Sequence, residues 1–95
     1  MRKLMIKARA HVYVSGVVQG VNFRYKTSKL AENWGVNGWI ENLPDSRVEA
    51  IFEGEEKAVK ALVDYCHHGP SLARVTNVDV TWEPYRGEFS GFEAR

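Results

Sequence analysis

Gly16-Val17-Val18-Gln19-Gly20-Val21-Asn22-Phe23-Arg24 is the stretch of this 95-residue chain whose residue types and spacing best suit chemistry. Two glycines four apart bracket a short loop, and an arginine follows close behind. Glycine has no Cβ, so the backbone can turn tightly and come close to a ligand. Consecutive free N–H groups at a loop and a helix start make a concave donor site that favours an anion. Arg24 adds a planar fork of donors that matches phosphate geometry. On this reading the amides of Gly16, Val17, Val18, Gln19, Gly20 and Val21, with the Arg24 guanidinium, cradle a phosphate. A glycine-punctuated β-to-α turn with a surface arginine has the same spacing, and spacing alone leaves both readings open. Gln19 is open in the same way, either bracing the loop by hydrogen bonding or standing exposed.

Other phosphate and metal chemistries fail on spacing. No G-x-x-x-x-G-K-[ST] occurs, since Tyr25 stands five residues after Gly20, and no G-x-G-x-x-G occurs anywhere. A C-x5-R phosphatase loop would need a cysteine at Val18. The loop therefore suits phosphate but brings no nucleophile. His67 and His68 are adjacent, His11 is remote, and no H-x3-H or H-E-x-x-H pattern exists, so exposed or capping roles are expected and no metal. The acidic residues are spread along the chain. Cys66 continues an apolar stripe, which predicts packing over reactivity.

The elements that must position the loop are legible from periodicity. Ala8, Ala10, Val12 and Val14 alternate with Arg9, His11 and Tyr13, which predicts a half-buried strand over Ala8–Val14. Asn22–Trp34 carries Phe23, Thr27, Leu30, Ala31 and Trp34 at helical spacing, with Gly35 suited to a left-handed cap and Asn22 to an N-cap. Val36–Leu43 and Arg47–Glu53 read as strands around a Pro44-Asp45-Ser46 turn. Glu55–Cys66 reads as a second helix with Ala58, Val59, Leu62, Tyr65 and Cys66 on one stripe. Val75–Glu83 reads as a fourth strand with Val78, Val80 and Trp82 on one face. Residues 83–91 are the least patterned, and Phe92 suits a short terminal edge strand. The order β-α-β-β-α-β predicts a ferredoxin-like α+β sandwich, an antiparallel sheet with both helices on one face.

The loop segment resembles the acylphosphatase signature G-x-V-Q-G-V-x-F-R through Gly16, Val18, Gln19, Gly20, Val21, Phe23 and Arg24. Downstream, Gly35, Gly38, Trp39, Asn42, Asp45, Val48 and Glu49 resemble that family's G-x-x-G-W-x-x-N-x-x-D-G-x-V-E segment, with Ser46 in place of its last glycine. Glu53-Gly54, Val59, Leu62, Gly69-Pro70, Ala73, Val75 and Val78 continue the likeness, which runs from about Ala8 to Phe92. The resemblance implies hydrolysis of the carboxyl–phosphate bond of acyl phosphates, with Arg24 binding phosphate and Asn42 positioning the attacking water. From the residues alone Asn42 is equally a turn former, and alternation puts it on the face of Ile40. If the Ser46 position needs a positive φ, serine should cost about 1 kcal/mol there.

Composition agrees without pointing to an activity. Ninety-five residues make a single domain, Met1 to Arg95, able to bury roughly 60–70% of its unfolded surface. A net charge of +1 gives no electrostatic reason to expect nucleic acid or an acidic membrane. One cysteine permits no internal disulfide and fits a reducing compartment. Lys7 and Arg9 interrupt the N-terminal apolar run, and no stretch spans a bilayer, so a cytoplasmic monomer is the expectation. The expected ligands are a small-molecule acyl phosphate and inorganic phosphate, as product and inhibitor, with no cofactor.

Overall fold

The computed structural model describes residues 6–95. Along the chain run β1 (Lys7–Val17), α1 (Phe23–Asn33), β2 (Asn37–Asn42), β3 (Val48–Glu55), α2 (Glu56–Cys66), β4 (Arg74–Glu83) and β5 (Phe92–Ala94). The sheet order is β4-β1-β3-β2-β5. The first four strands pair antiparallel, as the ferredoxin-like pattern requires. β5 joins β2 in parallel, which makes the whole sheet mixed.

Both helices cover one face, and the core lies between. Ala8, Ala10, Val12 and Val14 of β1 meet Val48, Ala50 and Phe52 of β3 and Ile40 of β2. Phe23 and Ala31 come down from α1, and Val59, Leu62, Val63 and Cys66 from α2. Full burial of a side chain such as Phe52 contributes about 1.5–3 kcal/mol. Burial pushes the Cys66 thiol up to about 12, so it stays a neutral packing group. Trp34 and Trp82, which fit their stripes by spacing, are exposed. Trp34 is the C-cap residue, where the chain leaves the α1 stripe, and Trp82 lies near the end of the edge strand.

Three boundaries bear on the site. β1 runs three residues further than the alternation predicts, because a register shift between Ser15 and Gly16 lets pairing with β4 continue to Val17. α1 ends in a Schellman closure, with Val36 N–H donating to Ala31 O (2.8 Å) and Gly35 N–H to Glu32 O (3.3 Å). Asn22 is the N-cap residue but sits at φ 67, and its side chain makes no cap hydrogen bond.

The other sheet face is held by an ion cluster around residues 83–91. Arg9 is buried and bonds Glu53 (3.2 Å), Glu83 (2.8 Å) and Glu88 (2.6 Å). Glu53, also buried, accepts the main-chain N–H groups of Arg86 (2.8 Å), Gly87 (3.2 Å) and Glu88 (3.2 Å). That fastens an otherwise irregular segment against the sheet and aims it at β5. Burial tends to raise the Glu53 pKa, but the Arg86 amide, the Arg9 guanidinium and the next two amides outweigh it, and the net direction is down. A depressed carboxylate stabilises the fold fully above its unfolded value, and that contribution is lost as pH falls through the folded one. Glu53→Gln should therefore destabilise the protein by about 3 kcal/mol at neutral pH, since it leaves Arg9 buried with one partner fewer. In urea titrations across pH 3–7, stability of the variant should also fall less steeply below the ordinary carboxylate value of 4.5.

Candidate active site

The loop between β1 and α1 consists of Val18 to Asn22, and its two ends are fixed differently. Gly16 and Val17 are still strand residues, paired with Val75 and Arg74 of β4. Gly16 has φ +121, and a Cβ on it would lie 2.1 Å from Arg74 O. Its need for glycine is therefore a close approach to β4, rather than to a ligand. Gly20 has φ +73, and a Cβ there would meet nothing within 4 Å. Past Val17, no main-chain hydrogen bond among the described residues uses the N–H groups of Val18, Gln19, Gly20 or Val21. These donors adjoin the first turn of α1, whose own amides are free by helix geometry.

A cavity of about 230 Å³ opens at this point. Val18 and Gly20 line it from the loop, Asn22 to Tyr25 from the helix start, and Asn42 from the end of β2. The structure thus brings Arg24 and Asn42 to one cavity. Of the proposed phosphate-binding residues, Gly16, Val17, Gln19 and Val21 do not line it. Val21 is buried, and the Gln19 side chain reaches elsewhere, to the carbonyls of Leu43 (2.9 Å) and Arg47 (3.0 Å). Of the two sequence readings of Gln19, bracing is the one seen.

Arg24 is held by a group that sequence reasoning did not identify. Its Nη1 donates to the main-chain oxygen of Arg95. Arg95 is itself fixed: its N–H donates to Ile40 O (2.8 Å), its guanidinium bonds Glu41 (3.3 Å) and Glu93 (2.9 Å), and its Cζ lies 4.4 Å from the Trp39 ring centroid. β2 therefore carries Asn42 and, through Ile40, also fixes the support of Arg24. Nothing local in the sequence signals this contact, because it joins residues 71 positions apart.

Asn42 lies on the face of Ile40, as alternation requires, and its Oδ1 is buried without a hydrogen-bond partner among the described residues. The hairpin beyond it turns on Ser46, at φ 77, so this position does use the left-handed region where serine is strained. Ser46 N–H donates to Leu43 O (3.2 Å), and Leu43 N–H to Arg47 O (2.8 Å). The Arg47 main-chain N–H, then its guanidinium, hold the Asp45 carboxyl below the usual carboxylate range. The histidines stay apart from the cavity. His67 Nδ1 contacts Val63 O (3.0 Å) at the helix end, a capping role, and His68 is exposed. His11 departs from expectation, half-buried on the sheet between Glu49 (2.6 Å) and Glu83 (3.4 Å). No three His, Cys, Asp or Glu side chains among the described residues are arranged to hold a metal ion.

A strand-to-helix loop with unused main-chain N–H groups beside an arginine, on a ferredoxin-like sandwich, has the chemistry to bind an anion. A family model for acylphosphatases matches residues 10–94. An acylphosphatase of Roseiflexus sp. is 56% identical over 89 residues, which cover 94% of this chain and 96% of that protein. One from Rubrobacter xylanophilus is 59% identical over 87 residues, 92% of this chain and 79% of that protein. The solved structure of an acylphosphatase from Bacillus subtilis is 32% identical, with a TM-score of 0.88, covering 93% of this chain and 98% of that one. The chain belongs to the acylphosphatase family.

The two loop glycines should respond differently to one added methyl. Gly16→Ala forces a clash with β4 backbone at positive φ and should cost about 3 kcal/mol or more. Gly20→Ala meets no neighbour and should cost about 1 kcal/mol, from its φ alone. Parallel urea denaturation of the two variants checks this, and equal losses would contradict it.

Proposed function

We propose that this chain hydrolyses the carboxyl–phosphate bond of acyl phosphates, giving a carboxylate and inorganic phosphate. Arg24 and the loop amides bind the phosphoryl group, and Asn42 orients the attacking water. The observation that carries this reading is the convergence of Arg24, Asn42 and unused loop N–H groups on one cavity.

The chemistry suits so sparse a site. An acyl phosphate expels a carboxylate, which is a good leaving group and needs no strong acid. Phosphoryl transfer passes through a loose transition state, so positioning and charge stabilisation supply most of the catalysis. Arg24 and the amides of Val18 to Val21 neutralise the three phosphoryl oxygens. Val18 and Gly20 line the cavity, while Gly16 and Val17 pair with β4 and shape the loop from the strand side. Asn42 offers two donors and one acceptor with no protonation state to set. The substrate's own phosphate takes the proton from the attacking water, which accounts for a site built without a base.

Inorganic phosphate, as product, occupies the same cradle and inhibits. One chain supplies every assigned residue, so a monomer suffices. A net charge of +1 gives nucleic acid or a membrane surface no electrostatic hold. Among the described residues no helix is long and apolar enough to cross a membrane. A cytoplasmic setting belongs to the same reading and rests on the single free cysteine.

Benzoyl phosphate hydrolysis, followed by ultraviolet absorbance, tests these roles. Arg24→Gln should lower kcat by at least about 100-fold and weaken phosphate inhibition, because ground-state binding and charge stabilisation share that guanidinium. Asn42→Ala should lower kcat by a similar factor yet leave the phosphate inhibition constant within about threefold. Equal loss of phosphate affinity in both variants would overturn the division of roles. A folded wild type with no turnover would overturn the activity itself.

A further inference from the structure

We infer that the Gln19 side chain is a positioning residue that sets Asn42 through the β2–β3 hairpin, a role that rests on the activity proposed above. Gln19 lies between Val18 and Gly20, which both line the cavity, but its own amide leaves the loop to reach the β2–β3 hairpin. Both of its contacts, Leu43 O and Arg47 O, are carbonyls, so the group facing them must be the NH₂, with its two donors divided between them.

Each of those carbonyls already accepts a hydrogen bond that closes the turn. Leu43 O takes Ser46 N–H (3.2 Å), and Arg47 O takes Leu43 N–H (2.8 Å). Gln19 thus caps both closures of a hairpin whose tip contains a strained non-glycine residue, Ser46 at φ 77. Leu43 directly follows Asn42; its carbonyl belongs to the Leu43–Pro44 peptide, while the Asn42–Leu43 peptide is held by Leu43 N–H on Arg47 O, the second carbonyl that Gln19 caps. The phosphate loop has independent support. Gly16 and Val17 remain in the ladder with β4. Loss of the Gln19 amide should therefore loosen the hairpin and Asn42 while leaving the phosphate cradle formed.

The test is Gln19→Met, which keeps the length and removes the donors, with Gln19→Ala as a second, uncharged variant in case the first folds poorly. Each is also combined with Asn42→Ala. For benzoyl phosphate, kcat should fall about 10- to 30-fold, the value of two neutral hydrogen bonds, while the inhibition constant for inorganic phosphate moves by less than about threefold. In the Asn42→Ala background the same substitution should change kcat by less than about twofold, since no held water remains to be misplaced. Native-state amide exchange at Leu43 and Ser46 should quicken about tenfold or more, with the β1–β4 amides unchanged. A full kcat loss in the Asn42→Ala background, or phosphate affinity falling in step with kcat, would overturn the inference and make Gln19 a loop-shaping residue. Unchanged exchange at Leu43 and Ser46 would overturn it without reference to turnover, so its failure is separable from failure of the hydrolase reading.

Discussion

β1 is hydrogen-bonded along both edges, to β3 on one side and to β4 on the other, and the site depends on that double pairing. A strand held on both sides cannot tilt or slide without breaking two ladders, so the point where pairing stops is well defined. With β4 that point is Val17. Pairing with β3 already ends at Val14, so Ser15 to Val17 are held on one edge only, and beyond Val17 a row of N–H groups without main-chain partners becomes available to an anion. The register shift at Ser15/Gly16 belongs to the same constraint. It carries pairing around the local bend, and only a residue without Cβ fits against Arg74 O there. The cradle is thus a product of where a ladder ends.

Two further ties, on opposite sides of the sheet, bring the chemical side chains to that endpoint. On the helix side, Gln19 joins the loop to the hairpin after Asn42. On the other, Arg9 and Glu53 bind residues 83–88, which lead through β5 to Arg95 and so to Arg24. The second tie is costly in isolation, because a buried carboxylate and guanidinium each lose hydration. It is tolerable here because Glu53 accepts three main-chain N–H groups as well as Arg9. The same bonds satisfy amides of a segment with no regular structure. The ion cluster orders a loop more than it strengthens a core.

The strands and helices were legible because their signals are local. Period-two alternation in Ala8–Val14 and helical spacing in Glu55–Cys66 each follow from one buried face, and the structure buries those faces. What was not legible depends on partners distant in sequence. Gly16 reads as a turn residue, yet it continues a strand because β4 arrives to pair with it. Glu53 falls on the outward face by alternation, and only residues 84–90 folding over it make it buried. The support of Arg24 by Arg95 joins positions 71 residues apart, and the parallel placement of β5 is equally non-local. Trp34 and Trp82 fit their stripes by spacing, but each lies at an element's end, where the opposing layer no longer covers it.

Asn42 shows how one rule is both right and incomplete. Parity places its side chain on the inward face, where an amide should be either paired or replaced by an apolar group. It is neither: Oδ1 is buried without a partner. The conflict resolves because β2 ends at this residue and the helical layer gives way to the cavity that Arg24 also lines. A carboxylate at this position would repel an anion in that cavity, and an apolar residue could not hydrogen-bond a water there. A neutral amide avoids both, and rotation about its terminal torsion exchanges donor for acceptor toward the cavity at little steric cost. Its place on the same cavity as Arg24, Val18 and Gly20 is what the role proposed for Asn42 requires.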